Sequence, residues 1–128
     1  MTNAELVAFG STRRPAGKVD GDPTLAVLVG AGTGTVCIVG KSWDFQVDVA
    51  LEIPREENID NIARSMEEVV ARSREALFDA EHFFDGYKQN PEYALTAIRT
   101  AYEAGAKWLV LCDTNGGVMP EEAYRIVS

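Results

Sequence analysis

PEYALTAIRTAYEAGAKWLVLCDTNGG, residues 91–117, reads in order as a helix, a tight turn, a strand and a polar loop. Asn90-Pro91 opens it, since Asn is a good N-cap and Pro suits the first helical position, where its missing N–H would have no partner anyway. Ala94, Leu95, Ile98, Ala101 and Tyr102 recur at three- and four-residue spacing, which predicts a helix over residues 91–104 with one buried stripe. Gly105 suits the left-handed conformation that closes a helix. The apolar run Trp108-Leu109-Val110-Leu111 then reads as a strand, and Asp113-Thr114-Asn115-Gly116-Gly117 as the loop at its end.

The same unit recurs in both directions along the chain. Pro23, Pro54 and Pro120 stand, like Pro91, where helices begin, with Asp22 as a second N-cap. Glu56, Glu57, Glu92, Glu121 and Glu122 place acids in first turns, where the helix dipole is positive. Ile59, Ile62, Ala63, Met66, Val69 and Val70 mark a helix over residues 54–73, and a shorter one is expected over 23–30. Between them lie the runs Leu6-Val7-Ala8-Phe9, Val36-Cys37-Ile38-Val39 and Ala76-Leu77-Phe78. They are continuous rather than alternating, as expected of parallel strands covered on both faces. Ala31-Gly32 and Ala104-Gly105 each close a helix shortly before a strand, a weak internal repeat.

The fold class that follows is α/β, about four βα units on a parallel sheet, in one domain over residues 1–128. Helix-to-strand connections are short (Thr33-Gly34, Ser73-Arg74, Ala106-Lys107), whereas strand-to-helix connections are long. That asymmetry directs attention to the carboxyl ends of the strands, where α/β proteins bind ligands.

Composition narrows the function. A net charge of −8 opposes binding to a phosphate backbone, so nucleic acid is not an expected partner. No stretch has the roughly 20 apolar residues of a membrane span. Met1-Thr2-Asn3-Ala4-Glu5 lacks the basic start and apolar core of a signal peptide, and the expected location is cytoplasmic. Cys37 and Cys112, each inside an apolar run, read as reduced core thiols.

The four strand ends carry Gly10-Ser11-Thr12-Arg13-Arg14, Gly40-Lys41-Ser42-Trp43-Asp44, Asp79-Ala80-Glu81-His82-Phe83-Phe84-Asp85-Gly86-Tyr87 and Asp113-Thr114-Asn115-Gly116-Gly117. Glu81, beside Phe83 and Phe84, and His82 are the candidate acid or base. If both lie on a strand they point to opposite faces, so only one enters a given pocket, and His82 has a hydrogen-bonding role as its alternative. Glu81, His82 and Asp85 do not have the spacing of a recognisable metal motif. Gly30-Ala31-Gly32-Thr33-Gly34 superficially resembles a nucleotide loop, but it follows a helix and precedes a strand, so it reads as a helix cap and turn. Trp43 either walls a pocket or packs beneath its loop.

Taken in order, these four strand ends resemble the citramalate synthases, of the isopropylmalate synthase and HMG-CoA lyase group of TIM-barrel metalloenzymes. The resemblance covers nearly the whole chain. It implies half of a (β/α)8 barrel, strands three to six, and an acyltransferase that condenses acetyl-CoA with pyruvate in isoleucine biosynthesis. It implies a place in the 2-oxo-acid pocket for Glu81 and contact with that acid through Thr114, with Asn115, Arg13 and Arg14 as further substrate-binding candidates, while Glu81 and His82 remain the catalytic candidates. His82 departs from the acidic residue usual in isopropylmalate synthases, which favours pyruvate over another 2-oxo acid. The resemblance also implies a divalent metal, Mg²⁺ or Mn²⁺. Its ligands, an Asp after the first strand and a His-x-His pair at the seventh, have no counterpart in a sequence with one histidine. No metal is therefore expected on this chain, which is expected to be inactive in isolation and to self-associate through open sheet edges. An open, flavodoxin-like binding or assembly module is the non-catalytic alternative, distinguished by helices on both faces of the sheet rather than one.

Overall fold

The computed structural model describes residues 3–14, 22–72 and 75–128. Four parallel strands, β1 (Val7–Ser11), β2 (Thr35–Lys41), β3 (Glu75–Glu81) and β4 (Trp108–Leu111), form one sheet in the sequential order β1-β2-β3-β4. The helices are α1 (Pro23–Gly30), α2 (Asp44–Gln46) running into a π-helical turn (Val47–Leu51), α3 (Arg55–Ala71), α4 (Phe83–Gln89), α5 (Pro91–Glu103) and α6 (Pro120–Val127).

Local chemistry accounts for most boundaries. The Asp22 carboxylate accepts from the amides of Thr24 and Leu25, and the Asn90 side chain accepts from that of Tyr93, so both expected N-caps are formed. Pro23, Pro91 and Pro120 open their helices, while Pro54 is the cap residue before α3. The repeated Ala-Gly pairs end α1 and α5 alike, with Gly32 at φ 75° and Gly105 at φ 100°, where a side chain would be strained. The expected connection Ser73-Arg74 lies outside the described residues.

One apolar layer holds these elements together. Ala8, Val36, Ile38, Ala76, Phe78, Ala80, Leu109 and Leu111 pack against Leu25 and Leu28 of α1, Ile62, Met66 and Val69 of α3, and Ala94, Ala97 and Ala101 of α5. These strand positions share one parity, so all three long helices cover a single face of the sheet. The expectation of strands covered on both faces is corrected here. Burial alternates along β3, and on the uncovered face Phe9 is 61% and Trp108 60% exposed. The core stripe of α5 differs as well. Alanines at 94, 97 and 101 bring the helix close to the small residues of β3, and Leu95 and Tyr102 are left exposed.

Two expected loops are in fact helical, residues 44–51 and 83–89. A polar network anchors the first: Asp44, 5% exposed, pairs with Arg55 at 2.8 Å and accepts from Asn90 Nδ2 at 2.7 Å, which ties α2 to α3 and to the start of α5. The second is anchored by apolar contact. Phe83 and Phe84 enter the core, and at Gly86 α4 approaches the chain so closely that a Cβ would stand 2.6 Å from the Ser42 carbonyl oxygen.

The sequential strand order and the one-sided helices are those of barrel-type βα units, and they exclude the open, doubly wound alternative.

Candidate functional site

Parallel pairing places Lys41 directly opposite Glu81 at the carboxyl end of the sheet. Their side chains form an ion pair, each about one-quarter exposed, and the Ser42 hydroxyl donates to the Glu81 carbonyl at 2.8 Å. Beside this pair opens a cleft of about 140 Å³ whose walls include Arg13, Arg14, Lys41, Asn58, Asn61 and Glu81. Arg13 is held at 2.7 Å to Asp60, and its amide donates to Ser65 Oγ at 3.0 Å, so α3 fixes the residue. The Arg14 amide donates to Asp22, whose carboxylate also caps α1.

A second group adjoins the first. His82 follows the last strand residue at φ 53°, a left-handed conformation that costs on the order of 1–3 kcal/mol away from glycine and collects at functional sites. Its amide donates to Thr114 Oγ1 at 2.8 Å, and its Nδ1 lies 2.9 Å from Asp85 Oδ2. Asn115 Nδ2 donates to the same Asp85 oxygen at 3.0 Å. Trp43 lies across the imidazole with ring centroids 5.5 Å apart and donates from Nε1 to Gln89 at 2.7 Å, so it walls the histidine rather than sinking beneath its loop.

The sequence-selected residues therefore divide between two neighbouring groups. Arg13, Arg14 and Glu81 border the cleft, and His82, Thr114 and Asn115 form a separate group that begins one residue after Glu81. His82 is not a strand residue, so the alternation argument does not govern it. Asn115 is placed to hold Asp85. Sequence reasoning passed over Lys41 and Asn61, and weighed Asp85 only as a metal ligand, not as the partner of His82. Lys41 was findable by aligning the strand ends, since it stands one residue before Ser42 as Glu81 stands one before His82. The buried Oδ1 of Asn61, unpaired among the described residues, had no sequence signal.

On the uncovered face the Cys112 thiol donates to Asp79. Burial pushes it up to about 12, with that hydrogen bond and the charge of Asp79 adding to the effect. Burial, seconded by Asp79, pushes Cys37 up to about 11, and both thiols are free.

The donor set does not fit the implied metal. Among the described residues no three His, Cys, Asp or Glu side chains cluster to hold an ion, Glu81 is committed to Lys41, and His82 Nδ1 to Asp85. Among the same residues no helix is long and apolar enough to cross a membrane.

No protein-family model matches the chain. It is 54% identical over 124 residues to an (R)-citramalate synthase of Aquifex aeolicus, a match covering 97% of this chain and 24% of that protein. An (R)-citramalate synthase of Synechocystis is 45% identical over 128 residues, 100% of this chain and 23% of its own length. One from Geobacter sulfurreducens is 47% identical over 127 residues, with 99% and 24% covered. The chain is thus similar, along nearly its whole length, to a segment of the citramalate synthases, a segment about one quarter as long as those proteins.

Proposed function

We propose that this chain forms the 2-oxo-acid side of an active site that condenses acetyl-CoA with pyruvate. The observation that carries the reading is the convergence of Glu81, His82 and Thr114 at one strand edge, in a sequence similar throughout to enzymes named (R)-citramalate synthase. In such a condensation a base removes a methyl proton from acetyl-CoA, the resulting carbon nucleophile attacks the keto carbon of pyruvate, and thioester hydrolysis releases CoA. Thr114 Oγ1 accepts from the His82 amide, which leaves its own hydroxyl hydrogen to donate to a keto or carboxylate oxygen. Glu81 and His82 are the groups able to hold or move a proton. Arg14, beside the cleft and, among the described residues, hydrogen-bonded through its amide alone, is better placed than Asp60-bound Arg13 to meet the substrate carboxylate. The metal implied by the resemblance has no ligand set among the described residues, and the roles given to this chain do not depend on it.

The domain reading is that residues 1–128 are part of one barrel-type catalytic domain. An isopropylmalate synthase-type reaction with a larger 2-oxo acid is the second reading, favoured by the open cleft beside Glu81.

The test is CoA release from acetyl-CoA and pyruvate, with Mg²⁺ or Mn²⁺, for this chain and for a version extended at both ends. Turnover is expected from the extended version alone, with pyruvate preferred over longer 2-oxo acids. Turnover by the short chain would overturn the assignment of an incomplete site, and preference for a longer acid would favour the second reading. Glu81→Ala in the extended version should lower kcat by about 100-fold or more; an unchanged rate removes Glu81 from the catalytic set.

A further inference from the structure

We propose that Asp85 is a positioning residue that fixes His82 as the Nδ1-protonated tautomer, leaving Nε2 as the proton-accepting atom of the site. The inference rests on the reading of this edge as catalytic and adds to it a residue that the resemblance does not supply.

Two contacts reach the imidazole, from Asp85 and Trp43, and two more, from Asn115 and Thr114, hold the carboxylate and the backbone that carries the ring. Asp85 Oδ2 lies 2.9 Å from Nδ1, and a carboxylate can only accept, so the hydrogen of this bond belongs to the ring. Asn115 Nδ2 donates to the same oxygen from the loop after β4, which holds the carboxylate against rotation. Trp43 covers the ring from the start of α2 and is itself tied to Gln89 of α4. The backbone of His82 is held left-handed, with its amide on Thr114 Oγ1, so the ring's starting point is fixed as well. Among the described residues no hydrogen bond is formed to Nε2, and the side chain is 13% exposed. An imidazole protonated on Nδ1 carries its lone pair on Nε2.

Proton transfer then balances simply. The Nε2 lone pair forms a new N–H bond, the donor's C–H or O–H bond breaks with its electron pair left on the donor atom, and Nδ1 keeps its hydrogen against Asp85. The carboxylate compensates the imidazolium charge, the role a buried aspartate plays beside a catalytic histidine. His82 and Asp85 are i and i+3 across the start of α4, so the helix itself sets their separation, and the bare Cα of Gly86 lets that turn seat against Ser42 and Trp43.

The chain has one histidine, so its ring nitrogens give unambiguous long-range ¹H–¹⁵N correlations. With the ring neutral, the native chain is expected to show the Nδ1-protonated pattern, and Asp85→Ala to shift it towards the Nε2-protonated form that unconstrained side chains favour. An Nε2-protonated native ring overturns the proposal without any variant having to fold. In the extended, active version Asp85→Ala should lower kcat about 100-fold with little change in KM for pyruvate, and Asp85→Glu should restore part of it. A loss confined to KM would overturn the positioning role. Absence of turnover from the extended version, with the native tautomer as expected, would overturn the condensation reading and still support this one.

Discussion

Cys37 and Cys112 show at the residue scale how much a neighbour matters. Both face Asp79 on the uncovered side of the sheet, and burial together with that carboxylate raises them to about 11 and about 12. A thiol reacts as its thiolate, so both should alkylate more than about tenfold more slowly at pH 8 in the folded chain than in denaturant. Timed iodoacetamide labelling read by mass spectrometry checks this, and equal rates would contradict it. Because the folded values lie above the unfolded ones, the associated stability is fully present below about pH 9 and is lost as pH rises towards 11. Sequence read both cysteines as core thiols because their neighbours along the chain are apolar; Cys37 is buried, but Cys112 is only half-buried, and both lie outside the apolar layer. Sequence did not reveal Asp79 as their partner, since that contact crosses from one strand to another. Lys41 and Glu81 repeat the lesson, forty residues apart in sequence and adjacent only through strand register.

Among the elements, α1 depends most visibly on one side chain. Burial pushes the Asp22 carboxyl up, but the amides of Arg14, Leu25 and Thr24, with the Thr24 hydroxyl, outweigh it and hold the group below the ordinary carboxylate value. A depressed folded value means that this stabilisation is present above the unfolded value of about 4 and is lost as pH falls through the folded one. Asp22→Ala should cost about 1 kcal/mol at pH 7. Asp22→Asn should keep most of the cap and remove its share of the acid dependence, as urea unfolding at pH 7 and pH 3 would measure. An acid dependence unchanged in Asp22→Asn would assign it to other carboxylates. The helices that prolines and apolar spacing announce were legible because these signals are local. The π-helical turn and α4 were not: the first is anchored by Asp44, Arg55 and Asn90 from separate elements, and α4 begins at a left-handed histidine that offers no side-chain cap.

For the molecule as a whole, the decisive feature is a sheet whose three long helices all cover one face. Phe9 and Trp108 lie exposed on the other face, and β1 and β4 are the edge strands of the sheet among the described residues. We propose that the isolated chain buries this face against a second copy, β4 of one beside β1 of the other, twice about a two-fold axis. Light scattering at micromolar concentration should give a mass above the 13.9 kDa of one chain, and a monodisperse monomer would refute the pairing. By itself the sequence determined the α/β class, the four strands, the proline-led helices, the polar carboxyl edge and the resemblance to the citramalate synthases. Each of these is written in adjacent or periodically spaced residues. Only the tertiary structure decided between the barrel-type sheet and the open one, and brought together the Lys41–Glu81 pair and the group of His82, Asp85, Thr114 and Asn115. The reason is physical: helix and turn preferences act over a few residues, whereas register and side-chain convergence arise only when distant strands pair.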